Sequence, residues 1–216
     1  MSNLLIPYLI ICLTSLICVI LGCKLLHPKY PICIILFYLG SVAFFLGRLY
    51  EISRMILDVE LYNSFIITFI GIIGSFSFWL SSNFAIRQII NAKSKREDII
   101  KCLILSIIVS LSYIIMFNGT TNSLERIIEL IVTIYVASNM FYHMKHLLLI
   151  KADKTNFLIN LKSYNILALC FCALVIFFAI SFAYSNTTFL AIISMLLSIN
   201  MVFMLLAFMK GVKECK

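Results

Sequence analysis

The sequence predicts an all-α, polytopic transmembrane bundle of about seven helices. Of its 216 residues, 63% are hydrophobic and only 12% are charged, and the mean hydropathy is +1.10. A soluble domain of this length is about half apolar and about a quarter charged, and it cannot bury such an excess of apolar surface. The apolar residues form continuous runs along the whole chain, as membrane-spanning helices require.

Seven runs reach the roughly 20 residues that a helix needs to cross the hydrocarbon core. The predicted spans cover residues 4–26, 31–53, 63–90, 99–117, 126–150, 160–184 and 187–209. Polar or proline-containing turns separate them, and Ser123 is a candidate N-cap before the fifth span. Strands of an outer-membrane barrel would alternate apolar and polar residues, which these runs do not. Because the spans occupy most of the chain, we expect residues 1–216 to form a single transmembrane domain.

The distribution of Lys and Arg predicts the orientation, because cytoplasmic loops carry an excess of both. One set of alternate loops, with the C-terminal tail, holds 14 of the 17 basic residues, and the other side holds Arg48, Arg54 and Arg126. This places the N-terminus outside and the C-terminus in the cytoplasm. It also accounts for the net charge of +8 without nucleic-acid binding. The abundance of Ile, Lys and Asn suggests a bacterial genome, so the expected location is a bacterial plasma membrane.

The end of the second span carries an unusual cluster of charge. Arg48, Glu51 and Arg54 are spaced by three residues, so they share one helix face. An ionisable group at membrane depth is by default a functional candidate. One interpretation is an interfacial face whose arginines extend toward lipid phosphates. The other is an outward-facing cavity that binds an anionic or zwitterionic ligand.

The fifth span supplies polar residues from its outer end to its inner end. Glu129 could pair with Arg48 or Arg54, and Tyr135 and Asn139 follow on the same helix. Such a stripe must face the bundle interior or a water-filled cavity, although hydrogen bonds that only join helices would produce the same pattern. The predicted ligand-binding set is therefore Arg48, Glu51, Arg54, Glu129, Tyr135 and Asn139.

Metal and covalent chemistry have weaker support. The eight cysteines lie mostly in apolar runs and contain no Cys-x-x-Cys pair, so neither a disulfide framework nor a zinc site is indicated. His143 and His146 could supply two metal ligands, but Lys145 between them repels a cation. Cys23 and His27 have the spacing of a nucleophile and its base. We expect no metal and no cofactor, and an enzyme is less favoured than a non-enzymatic role.

A family resemblance rests on three stretches of the second and third spans. They are Phe37-Tyr38-Leu39-Gly40, Arg48-Leu49-Tyr50-Glu51 and Asn83-Phe84-Ala85-Ile86-Arg87. These stretches resemble the seven-helix N-terminal membrane sensor region of bacterial histidine kinases, in which a glutamate closes the second helix. The resemblance implies a sensor. Because the sequence contains no kinase domain, a separate partner would then carry the output.

Three functions follow as expectations. The first is a sensor or receptor-like protein with an outward polar cavity that binds a small ligand or lipid and signals through a separate cytoplasmic partner. The second is a small permease or the membrane subunit of a transporter, which would work with an ATPase partner. The third is an enzyme that modifies a lipid or peptide. It would require at least two of five side chains to converge, namely those of Cys23, His27, Glu97, His143 and His146.

Overall fold

The computed structural model describes residues 2–26, 31–57, 64–90, 93–152, 154 and 156–213. Of the described residues, 91% are helical and none lies in a strand. The helices are α1 (Ser2–Gly22), α2 (Ile32–Ile56), α3 (Ser64–Ile89), α4 (Arg96–Gly119), α5 (Ser123–Leu149), α6 (Phe157–Asn160), α7 (Lys162–Ala183) and α8 (Thr187–Lys213).

Seven of these helices, among the described residues, are long and apolar enough to cross a membrane. They are all except α6, and they coincide with the seven predicted spans to within a few residues. The four-residue α6 was not predicted. The N-cap of α5 also differs from the expected Ser123, because the Asn122 side chain accepts a hydrogen bond from the Leu124 amide at 3.0 Å. Asn122, the residue before Ser123, is therefore the N-cap, and its side chain accepts a hydrogen bond from an amide of the first turn.

Helix α7 lies at the centre of the bundle and contacts all six other long helices. It packs along α8 and α5 and touches α4. Ring contacts of Phe178 join it to Tyr8 of α1 and Phe69 of α3, and Phe171 joins it to Phe44 of α2. Six helices therefore surround one, in the order α8, α1, α2, α3, α5 and α4.

Aromatic side chains at seven-residue intervals build this packing. Tyr164, Phe171 and Phe178 follow one another at two-turn intervals along one face of α7. Their layers are completed by rings from the surrounding helices, notably Phe37, Phe44, Phe69, Phe76, Trp79 and Phe208. Each such ring pair contributes about 0.5–1.5 kcal/mol beyond its buried area.

The ring of helices around α7 is open on one side. Among the described residues, no extensive contact joins α4 to α8. A stripe of α7 is exposed there, formed by Ile166, Cys170 and Phe177, and Phe177 has 49% of its surface accessible. In a bilayer this stripe faces lipid or a neighbouring helix.

Helices α2 and α3 approach each other closely at two glycines. A Cβ atom added to Gly47 would lie 2.5 Å from the Cα atom of Gly71, far inside any normal contact. Small residues at such crossings bring two backbones together in lipid.

We therefore expect Gly47→Ala to lower the free energy of unfolding by about 1–3 kcal/mol, since the added methyl group must push the helices apart. Gly74→Ala is the matched control. Its Cβ atom would lie an ordinary 3.6 Å from that of Ala43, so the higher helix propensity of alanine should leave stability unchanged or raised by up to about 1 kcal/mol. Denaturant titration in mixed micelles measures both values. Equal effects of the two variants would contradict the close contact.

Candidate functional site

The charge cluster of α2 contains a buried ion pair. Arg48 Nη1 lies 2.7 Å from Glu51 Oε2, and the two residues are 3 positions apart in the chain. One helical turn therefore brings the charges together without help from another helix. Only 1% of Arg48 and 2% of Glu51 is exposed, so both charges are removed from lipid headgroups and from water.

Side chains of α1 and α7 complete the surroundings of this pair. The guanidinium carbon of Arg48 lies 5.4 Å from the ring centre of Phe44 and 5.8 Å from that of Phe178. These distances allow cation–π attraction to both rings. The Tyr8 side chain of α1 lies close enough to the Glu51 carboxylate to interact with it. The ion pair therefore contacts the central helix through Phe178 and the first helix through Tyr8.

The burial of Arg48 decides between two expectations. An arginine that extended toward lipid phosphates would expose its guanidinium, whereas Arg48 is enclosed within the bundle. Extension toward phosphates is therefore wrong for Arg48. Arg54 lies further along α2 and is half-buried, and the ion pair seen among the described residues of this helix joins Arg48 to Glu51.

Glu129 does not join the α2 cluster, so the expected pairing with Arg48 or Arg54 is wrong. It is fully buried, and its Oε1 accepts a hydrogen bond from the Thr120 hydroxyl at 2.6 Å. Its Oε2 has no hydrogen-bond partner among the described residues. The cause is the helix arrangement. The N-terminal end of α5 packs on α4, while α3 separates α5 from α2.

A second polar group lies at the other end of the bundle, between α3, α5 and α7. The Asn83 amide donates to Asn139 Oδ1 at 3.2 Å and contacts His143 Nε2 at 3.3 Å. His143 Nδ1 lies 2.9 Å from Asn165 Oδ1. All four residues are buried. We call Asn83, Asn139, His143 and Asn165 the amide–imidazole network.

The network assigns a tautomer to His143. Asn165 Oδ1 can only accept a hydrogen bond, because the amide nitrogen of Asn165 already donates to the Leu161 carbonyl at 3.0 Å. His143 Nδ1 therefore carries the proton, and Nε2 accepts from Asn83. Asn139 also donates to the carbonyls of Phe76 and Tyr135, at 3.0 Å and 2.9 Å. Asn139 thus joins α3 to α5 by hydrogen bonds, and His143 joins α5 to α7.

The predicted ligand-binding residues therefore fall into separate groups. Arg48 and Glu51 form the ion pair, Glu129 bonds to Thr120, and Asn139 belongs to the amide–imidazole network. Tyr135 is half-buried, and its carbonyl accepts from Asn139. The structure does not gather all six residues into one cavity.

The residues considered for metal or covalent chemistry are also dispersed. His143 and His146 are buried, whereas Glu97 is exposed in the first turn of α4. Cys23 Sγ lies 3.2 Å from the Tyr38 hydroxyl, and His27 lies outside the described residues. Among the described residues, no three His, Cys, Asp or Glu side chains are placed to hold a metal ion.

Sequence reasoning missed Tyr8, Asn165 and Phe178. Asn165 had a detectable signal, since it is the one amide in the predicted span 160–184 apart from the terminal Asn160. A single amide in an apolar span needs a partner inside the bundle. Tyr8 and Phe178 had no such signal, because aromatic residues are common throughout the chain.

We expect Arg48→Gln to lower the free energy of unfolding by about 3–5 kcal/mol, because it leaves Glu51 buried without a counter-charge. Replacing both residues together, as Arg48→Met with Glu51→Leu, should cost less than the sum of the single changes. Arg126→Gln is the control. Arg126 is half-buried beside Phe117 and donates to the Thr120 carbonyl, so the expected loss is about 1 kcal/mol. If the double variant lost as much free energy of unfolding as the two single variants together, the interaction between Arg48 and Glu51 would be contradicted.

No protein-family model matches this chain, and neither a curated protein nor a solved structure matches it. A proposal for its function therefore rests on the polar groups described above and on the helix that connects them.

Proposed function

We propose that this protein is a membrane sensor of the receptor type in which α7 transmits a change from one end of the bundle to the other. One observation carries the proposal. Helix α7 contacts the Arg48–Glu51 pair through Phe178 and the amide–imidazole network through Asn165. These two residues are 13 positions apart in the sequence, which is about 20 Å along a helix.

A ligand acts on such a bundle by binding two helix arrangements with different affinity. The Arg48 guanidinium is held by Glu51 and by two aromatic rings. An anionic or zwitterionic ligand that drew Arg48 away from Glu51 would also remove Arg48 from Phe178. The contact surface of α7 would then change at that end.

The amide–imidazole network would receive this change at the other end. Interhelical hydrogen bonds of this kind contribute about 0.6 kcal/mol each on average in membranes. The bond between His143 and Asn165 is therefore weak enough to be exchanged when α7 rotates or slides. The excess of basic residues at this end supports a cytoplasmic location, where a separate partner would read the new arrangement. By the same rule the N-terminus lies outside. We expect the membrane to be the plasma membrane of a bacterium, because the chain is rich in Ile, Lys and Asn.

Hydrogen exchange of the full chain in lipid nanodiscs tests the transmission. Arg48→Gln should speed amide exchange in the first turns of α7, near Asn165, although that segment lies at the opposite end of the helix. A loss of about 1 kcal/mol in local opening energy corresponds to about fivefold faster exchange. Phe178→Leu should have the same effect in the same segment, and it leaves no buried charge unpaired.

Arg126→Gln is the matched control for hydrogen exchange. Arg126 lies at the same end as Arg48, but its described contacts are with Phe117 and the Thr120 carbonyl. We expect exchange near Asn165 to stay at the wild-type rate in this variant. If Arg48→Gln and Phe178→Leu changed exchange only near their own positions, the proposed transmission through α7 would be wrong.

A small permease is the second candidate, and a different observation favours it. Five polar residues of α5 are buried at successive depths, namely Glu129, Thr133, Asn139, His143 and His146. From the first to the last of these residues the helix extends about 25 Å. Buried polar residues at successive depths are typical of ion and proton pathways.

Cysteine accessibility separates the two candidates. Single cysteines at Thr133, Asn139 and His143 are introduced into a chain whose eight native cysteines are replaced by serine or alanine. Each variant is treated with a charged thiol reagent from each side of the membrane. A permease exposes each position to both sides in turn, so both applications should label all three. For a sensor we expect labelling only in the outer half of α5. Labelling of His143→Cys from outside would therefore reject the sensor and favour the permease.

A further inference from the structure

A groove of about 360 Å³ lies between α7 and α8, where α6 packs against them. Its volume falls in the range of about 300–1,000 Å³ found for small-molecule pockets. The lining residues include Asn160, Ser163, Leu167, Phe203, Leu206 and Lys210. The groove belongs to neither polar group described above, and the argument for its occupant is independent of the proposed function.

Polar and apolar residues occupy different depths of this groove. Ser163 lies in the first turn of α7 and Lys210 in the last turn of α8, so both are at the end of the bundle that contains the network. Leu167 lies one turn deeper on α7, and Phe203 lies two turns deeper on α8. The groove therefore has a polar mouth in the headgroup region and an apolar interior along the hydrocarbon core.

Backbone packing fixes one wall of the groove. A Cβ atom added to Gly211 would lie 2.5 Å from the Asn160 carbonyl oxygen. Only glycine at this position allows α6 to lie directly on α8. Because α6 precedes α7 through Leu161, this contact also sets the position of Ser163.

The charge at the mouth selects the occupant. Lys210 is exposed, and the loops and tail at this end of the bundle hold 14 of the 17 basic residues. A lysine near a membrane surface gains about 1 kcal/mol from anionic lipid. The Ser163 hydroxyl can donate a further hydrogen bond to a phosphate oxygen.

We propose that this groove binds an anionic phospholipid of the surrounding bilayer. The lipid phosphate lies between Lys210 and Ser163, and one acyl chain lies against Leu167, Leu206 and Phe203. The phosphate thus lies at the polar mouth of the groove, and the acyl chain lies in its apolar interior.

Native mass spectrometry of the full chain, released from detergent micelles, tests this site. Phosphatidylglycerol and phosphatidylcholine with identical acyl chains are titrated separately, and we expect phosphatidylglycerol to bind more tightly. Lys210→Gln should weaken phosphatidylglycerol binding about fivefold, the equivalent of about 1 kcal/mol. It should weaken phosphatidylcholine binding by less, because the choline cation offsets the phosphate charge of that lipid. Lys151→Gln removes an exposed lysine of the same end that does not line the groove, so it should leave both affinities unchanged.

Ala207→Phe provides a second test that leaves every charge in place. Ala207 lines the groove, and a phenyl ring there should fill it and weaken the binding of both lipids. If Lys210→Gln and Lys151→Gln lowered phosphatidylglycerol affinity equally, the net charge of the protein would explain the attraction, and the proposal would be overturned. Unchanged binding in Ala207→Phe would overturn it as well. Lys210-dependent binding of inorganic phosphate, without binding of phosphatidylglycerol, would assign the mouth to a free anion and reject the lipid.

Discussion

The packing of α7 against six other helices is the constraint on which the rest of the bundle depends. Lipid tails are as apolar as leucine, so the hydrophobic effect does not hold membrane helices together. Close contact and buried hydrogen bonds must do so. Tyr164, Phe171 and Phe178 provide the contacts at regular depths, and Asn165 provides the hydrogen bond to α5.

The two polar groups differ in how they are assembled. Arg48 and Glu51 meet within one turn of α2, so their attraction is present before any tertiary contact forms. The amide–imidazole network exists only when α3, α5 and α7 are together, because each of these helices supplies at least one member. The ion pair is therefore a local element, whereas the network depends on the complete bundle.

The sequence predicts those features that arise within one helix and misses those that depend on the arrangement of helices. Seven spans follow from hydropathy, and the Arg48–Glu51 pair follows from a spacing of three residues. The bond between Glu129 and Thr120 could not be predicted, since it depends on α5 lying beside α4 with α3 between α5 and α2. The central position of α7 could not be predicted either, because every span is apolar enough to be surrounded by other helices. The seven-residue spacing of its aromatic residues is the only local sign of it.

The stripe of Ile166, Cys170 and Phe177 leaves one side of the central helix open to lipid or to a neighbouring helix. In a closed ring, any lateral force from the lipid would reach α7 only after deforming an outer helix. Where lipid fills this side, acyl chains would press on α7 itself, between its contact with His143 and its contact with Arg48. Membrane thickness and lipid order would then act directly on α7, without first deforming an outer helix.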